Sequence, residues 1–431
     1  MEYLALIAIF LTILFLFLGT GIWIALSLTG VAAIGMMLFT TRPVGDAMAT
    51  TIWSASSGWT LAALPLFIWM GEILFRTRLS ENLFKGLQPW MQHLPGGLLH
   101  VNIAGSALFA AISGSSAATV ATVGKMSIPE LRRRQYPEKM IIGTLAGAGT
   151  LGLLIPPSIT LIIYGVTVNE SIAKLFIAGV IPGIVLALMF MAFVMVWSWF
   201  KGGTSEAADP NTTWAERFSA LLQLLPVIAL IGAVMGAIYT GIATATEAAV
   251  LGVVGALIMS AAQRSLTWDS FKESLLGATR TSSMIAFILA GSAFLTLTMG
   301  FTGIPRALAG WIAELGLTPW QLIVMLTVFY VILGCFLDGI SSIVLTMAVV
   351  EPIVRQAGFD MIWFGVFLMI VVEIAQITPP IGFNLFVLQG MTGRDMEFIA
   401  KAAAPMFLIM LLAVVVLSVF PGLATWLPSQ M

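Results

Sequence analysis

The chain has 431 residues, 59% of them hydrophobic and 9% charged, where an ordinary soluble domain carries roughly 25% charged residues. So few charges cannot cover a water-facing surface, so the solvent is a bilayer, and ten spans of about 20 residues would place about 200 residues in hydrocarbon. Lys+Arg 19 against Asp+Glu 20 leave a net charge of -1, which excludes the basic face that nucleic-acid binding needs, and the single cysteine, Cys335, lies in an apolar run where packing is its role.

The first run, MEYLALIAIFLTILFLFLGTG, has no basic n-region and is followed at once by a second apolar stretch, so it reads as a first span rather than a signal peptide. Crossings are predicted at about 3 to 18, 22 to 40, 58 to 76, 140 to 168 and 172 to 200. Between the third and fourth, residues 96 to 128 are apolar but interrupted at Ser113-Gly114-Ser115-Ser116. The 11 residues from Ala117 to Ser127 rise only ~16 Å as a helix, about half the hydrocarbon thickness. This segment reads as a re-entrant hairpin, whose irregular tip is tolerated at depth only where it is buried in protein or lines a wet cavity.

The fourth span carries Ile155-Pro156-Pro157-Ser158 in its interior. Proline has no N–H, so the carbonyls of Gly152 and Leu153 lose their helical partners, and Gly149 and Gly152 loosen the same turn. The longest polar stretch, KGGTSEAADPNTTWA, marks an expected cytoplasmic linker at 201 to 216. Five more crossings follow, at about 217 to 239, 242 to 262, 281 to 303, 361 to 391 and 397 to 421. A second hairpin is predicted at 320 to 350, broken at Asp338-Gly339-Ile340-Ser341-Ser342, with Val344 to Val350 too short to cross before Glu351-Pro352. A second broken helix, 361 to 391, holds Thr378-Pro379-Pro380-Ile381, which frees the carbonyls of Ala375 and Gln376.

The halves match in detail. Thr20-Gly21-Ile22 returns as Thr240-Gly241-Ile242, an offset of 220, and Pro129, Pro156, Pro157 and Pro182 return as Pro352, Pro379, Pro380 and Pro405, all at 223. Five crossings per copy force the second repeat, 217 to 431, to lie upside down relative to the first, 1 to 200, which is the inverted-repeat plan of many secondary transporters. With both termini outside, only Arg42, Lys174, Arg306 and Arg355 of the 19 basic residues fall on the outer face, leaving 15 inside. The fold class expected is therefore an all-α polytopic membrane protein of two inverted repeats of five transmembrane helices, each with one re-entrant hairpin and one Pro-Pro-broken helix.

The tips suit ions. Their hydroxyls can cap the returning half-helix, whose N-terminus carries roughly +0.5 of a charge and welcomes an anion, while freed carbonyls at the breaks suit a cation such as Na⁺. Four acids fall in or beside spans. Asp338 at the second tip could help hold a cation or cap the half-helix; Glu373 could coordinate or pair with a polar group. Glu247 is expected to make a structural hydrogen bond, and Glu72 an ion pair with Arg76 at i+4. No Lys or Arg lies at either tip. No HExxH or GxGD motif supports an intramembrane enzyme, and paired tips with broken helices suit an alternating-access carrier better than a channel.

The chain resembles the large membrane subunit of tripartite ATP-independent periplasmic (TRAP) transporters, within the wider ion-transporter superfamily. The resemblance rests on GSSAATVATVG at 114 to 124, AGAGTLGLLIPPS at 146 to 158, SIAKLFIAGVIPG at 171 to 183, GIATATEAA at 241 to 249, FLDGISS at 336 to 342 and ITPPIGFNLFV at 377 to 387. It departs at Ala245, where the family more usually has proline. The resemblance implies an elevator carrier in which hairpins and broken helices form the transport domain, the first two spans of each repeat form the scaffold, and amphipathic arms lie near 78 to 92 and 268 to 278. It implies about two Na⁺ ions, a small carboxylate substrate (C4-dicarboxylate, sialic acid or similar), a small four-helix membrane subunit and a periplasmic substrate-binding protein as partners, and a place in the bacterial inner membrane with both termini periplasmic. A stand-alone Na⁺/anion symporter of the same superfamily is the alternative. The candidate substrate residues are Ser115, Ser116, Thr119, Ser158, Ser341, Ser342 and Asn384. One Na⁺ site is expected at Gly114, Ser115, Gly149, Gly152 and Pro156, the other at Asp338, Gly339, Ser341, Ala375, Thr378 and Pro379.

Overall fold

The computed structural model describes residues 2–76, 79–200, 213–380 and 382–431, and among them all regular structure is helical. Arg78, Lys201, Ile381 and the greater part of the expected linker, 201 to 212, lie outside the described residues.

The first half runs α1 (Glu2–Gly19), α2 (Ile24–Phe39), α3 (Val44–Ser56), α4 (Ala63–Phe75), α5 (Leu79–Met91), the hairpin α6 (Leu99–Ser113) and α7 (Ser116–Arg133), the interrupted helix α8 (Glu138–Gly149), α9 (Leu151–Leu154) and α10 (Ile159–Val168), and α11 (Ile172–Phe200). The second half runs α12 (Trp214–Tyr239), α13 (Ala245–Ala262), α14 (Trp268–Thr302), α15 (Ile304–Glu314), the hairpin α16 (Pro319–Gly334) and α17 (Gly339–Gln356), the interrupted α18 (Met361–Gln376) and α19 (Phe383–Thr392), and α20 (Met396–Val419). Among the described residues six helices, α11 to α14, α17 and α20, are long and apolar enough to cross a membrane, and two bent pairs, α3 with α4 and α8–α9 with α10, pass the same test together. The chain is a polytopic membrane protein.

Both returning helices of the hairpins are longer than expected. Helix α17 continues through Glu351 and Pro352 to Gln356, and α7 through Pro129 to Arg133. One proline removes a single i→i−4 bond, and the turn that follows is held by side chains: Arg355 Nε donates to Glu351 at 2.9 Å, and Arg133 and Arg134 both donate to Glu130 at 2.7 Å. At 18 residues α17 is itself long enough to span, so the expectation that it is too short to cross is corrected.

The arms also differ. Residues 268 to 278 are not a separate element but the start of the 35-residue α14; the second short amphipathic helix is α15, 11 residues after a left-handed Gly303. In the first half the segment matching α14 is kinked by 54° between α3 and α4. At Ala245 the departure from the family pattern leaves a well-formed start, because Thr244 and Glu247 close a capping box on α13.

Packing sorts the helices. Helix α14 lies against α2, α3 and α4, and α13 against α4 and α12. The hairpins and interrupted helices pack with one another and across the halves, α7 on α19 and α10 on α17. The centre belongs to the interrupted helices: every residue of α8 from Met140 to Gly149 and of α18 from Trp363 to Gln376 is buried, as expected for helices apolar all round. By contrast α12 and α13 keep broad exposed apolar faces, including Phe218, Leu222, Leu225 and Leu251, that suit lipid.

Candidate functional site: a cavity between two hairpin tips

The first tip is made by Gly114, which ends α6 in the left-handed region at φ 56°, a conformation that costs glycine nothing. Ser115 then starts α7, its side chain facing the Ala118 N–H. The hydroxyl of Thr119 donates to the Ser115 carbonyl at 2.8 Å and lies 3.0 Å from the Ser113 hydroxyl, so Thr119 ties the tip rather than facing open space. At the second tip Asp338 is the N-cap of α17, accepting from the Ile340 N–H at 3.2 Å and from the Ser341 hydroxyl.

The tips rest on the breaks. A Cβ on Gly152 would lie 2.7 Å from the Ser115 carbonyl carbon and from Ser116 Cα, so only glycine lets the first break touch the first tip. The second tip approaches both breaks, since a Cβ on Gly339 would meet Leu153 at 3.0 Å and Val372 at 3.1 Å. Residues of the first expected Na⁺ set thus converge around the start of α7, with Gly114 against the Pro157 carbonyl and Gly149 against Val120. Those of the second gather between the other tip and break, where Cys335 Sγ lies 3.4 Å from the Pro379 carbonyl and Gln376 Nε2 3.5 Å from the Leu337 carbonyl.

Two of the freed carbonyls are already engaged. The Ser158 hydroxyl donates to the Leu153 carbonyl at 2.6 Å and caps α10 through the Leu161 N–H, and the Ala375 carbonyl accepts from the Thr378 N–H at 3.1 Å. The Thr378 hydroxyl turns back to the Ile374 carbonyl at 2.6 Å.

Between the tips and the wall formed by α4 and α14 lies a cavity of about 560 Å³. Of the seven expected substrate residues, Ser115, Ser116 and Ser341 line it, together with Gly114, Asp338 and Gly339. Thr119, Ser158, Ser342 and Asn384 are fully buried behind that surface. Sequence reasoning did not single out Thr160 on α10, Thr281 on α14 or Gln376 as a side chain, yet all three line the cavity, as does Glu72. The spacing of each helix could not show them, because a wall contributed from 165 residues away is set by packing. Arg76, which approaches that wall, is engaged by Glu72 at 3.0 Å and Glu273 at 3.7 Å, so the tips face the cavity with hydroxyls, backbone and one carboxylate.

The family model for the DctM component of tripartite ATP-independent periplasmic transporters matches residues 9–423. The chain belongs to this family. The C4-dicarboxylate TRAP transporter large permease protein DctM of Pseudomonas aeruginosa is 32% identical over 97% of this chain and 99% of its own length. The isethionate TRAP transporter permease protein DctMQ of Oleidesulfovibrio alaskensis is also 32% identical, over 95% of this chain and 64% of that longer protein. Among solved structures, the YdaH transporter of Alcanivorax borkumensis superimposes with a TM-score of 0.61 over 93% of this chain and 97% of that one, at 13% identity, a likeness of fold alone. As a TRAP large permease the chain is a transport protein rather than an enzyme. The cavity between its hairpin tips is lined by polar groups from both halves.

Proposed function

We propose that this permease carries out Na⁺-coupled uptake of a small organic acid, delivered by a periplasmic substrate-binding protein and assisted by a small four-helix membrane subunit. The observation that carries the reading is the cavity: tips and breaks form one side of it, α4 and α14 the other, so it lies between two groups of helices that pack mainly among themselves. In this reading the two halves are inverted repeats, the tips are re-entrant, and the hairpins with the interrupted helices move as an elevator against α1–α4 and α12–α14. The fixed offset of 223 between four proline pairs supports the repeat.

A small carboxylate fits the lining, because half-helix N-termini and serines favour an anion. The relative named for C4-dicarboxylate takes small carboxylates, and the one named for isethionate takes a small sulfonate, likewise an organic anion. With no basic side chain at either tip, bound Na⁺, about two ions, supplies the positive charge, which makes coupling obligatory. The basic-residue bias supports the bacterial inner membrane with both termini periplasmic.

The test is uptake of labelled acid into proteoliposomes holding the permease and its small subunit, with the binding protein outside. Uptake is expected to need both Na⁺ and the binding protein. Equal uptake in choline refutes Na⁺ coupling, and uptake without the binding protein moves the chain to the stand-alone symporters.

A further inference from the structure

One buried carboxyl group in the centre of the molecule has no ion-pair partner among the described residues. Glu373, on the buried stretch of α18, is 1% exposed, and neither of its carboxylate oxygens has a hydrogen-bond partner of good geometry among the described residues. Beside it stand the Ser116 side chain, at the start of α7, and the backbone of Leu153, just before the first break. Ser116 Oγ in turn lies 3.4 Å from Asn384 Oδ1, on the first turn of α19, whose Nδ2 is also buried without a partner. A carboxylate from the second half is thus enclosed by the tip and break of the first half and by the helix after the second break.

An ionised carboxylate in such surroundings is strongly disfavoured unless positive charge is supplied. No ion pair supplies it among the described residues. The N-terminal ends of α7 and α19 point positive potential toward this region, but if they alone held the group their N–H groups would bond it, and none does.

We infer that Glu373 is a direct ligand of a bound monovalent cation, Na⁺ on the reading above, with the Ser116 hydroxyl and the Asn384 side-chain oxygen completing the oxygen set. The inference rests on that reading. It places a full negative charge between the two expected Na⁺ sets, joining Ser116 and Leu153 on one side to Ala375, two residues along α18, on the other. The cation then ties three chain segments together, α18, the start of α7 and the start of α19, so its loss loosens the first tip from both sides of the second break.

The test is thermal unfolding of the purified permease with its small subunit, titrated with NaCl at ionic strength held constant by choline chloride. Wild type is expected to be stabilised by Na⁺. Glu373→Gln, which keeps the shape and removes the charge, is expected to shift the Na⁺ midpoint upward at least tenfold while being no less stable than wild type in choline alone. Glu373→Asp keeps the charge on a shorter stem and is expected to retain the Na⁺ response with a weaker midpoint. An unchanged midpoint in Glu373→Gln overturns the inference and leaves Na⁺ coupling standing, since it means that the carboxyl is neutral. No response of wild type to Na⁺ overturns both. If Glu373→Gln does not fold, Glu373→Asp decides: a midpoint identical to wild type overturns the inference.

Discussion

The two breaks are built from the same dipeptide and closed differently. In the first, one serine completes the turn: Ser158 Oγ donates to the Leu153 carbonyl that Pro157 leaves free and accepts from the Leu161 N–H that starts α10. In the second, α19 starts from Gly382 with no side-chain cap, and the nearest hydroxyl, Thr378, is spent inside α18 on Ile374. The buried and cavity-lining acids at the tips and breaks, Asp338 and Glu373, belong to the second half. The recurring Pro-Pro dipeptide therefore does not bring recurring chemistry with it. The first break is a joint closed by its own serine and the second has no such cap, while the carboxylate-bearing elements of the second half reach across to the first break at Leu153.

The sharpest test of the closed joint is Gly152→Ala. The new methyl would stand 2.7 Å from backbone atoms of Ser115 and Ser116, which cannot yield as a flexible side chain would. At the matching position of the second half, 223 residues on, an alanine is already present, and there the facing residue is Gly334. Gly152→Ala is expected to cost about 2–3 kcal/mol by overpacking and to abolish uptake because the first tip is displaced. Unfolding midpoints with parallel uptake assays check this; normal uptake would mean that the tip and the break do not need to touch.

A smaller effect separates the two closures directly. Ser158→Ala removes a helix cap and leaves the buried Leu153 carbonyl without its partner, a loss of about 2 kcal/mol. Thr378→Val removes a hydroxyl that only adds a second bond within an existing helix, and is expected to cost less than about 1 kcal/mol. Equal losses, measured by thermal or denaturant unfolding in the same detergent, would erase the distinction between a closed and an open break.

Much of this could be read in the sequence, and what could not has a common cause. Apolar runs reveal helices, and Gly, Pro and Ser mark where they stop, so the tips at Gly114 and Asp338 and both Pro-Pro breaks were legible from local chemistry. The lengths of α7 and α17 were not, because a proline in sequence signals a helix end, whereas here ion pairs hold the turn that follows it. Nor was the second arm, since residues 268 to 278 share the pattern of an interfacial helix but continue without interruption into α14. Thr281 on the cavity wall and Asn384 beside Ser116 depend on which helices meet, and hydrophobic periodicity reports the faces of one helix, never the identity of its neighbour.

The smallest predicted effect concerns a place where the halves do agree. Arg132 Nη2 donates to the Thr392 carbonyl at 3.3 Å, and Arg355 Nη2 donates to the Val168 carbonyl at 3.1 Å. The two arginines are 223 residues apart, and each reaches from the returning helix of one hairpin to the last carbonyls of the other half's interrupted helix, α19 or α10. A cation at a helix C-terminus complements its dipole, and each clasp adds a carboxylate: Glu138 with Arg132 and Arg394 at one end, Glu170 at 3.6 Å and Glu351 at 2.9 Å from Arg355 at the other. Both arginines are about half exposed, so solvent screens them, and Arg355→Gln is expected to cost no more than about 1 kcal/mol. Its signature lies elsewhere. Because the clasp joins α17 to α10, amide exchange should rise at the end of α10 around Val168 in Arg355→Gln and at the end of α19 around Thr392 in Arg132→Gln, each in the opposite half from the mutation. Exchange that rises only beside the altered residue would show that the halves are held together by apolar packing alone.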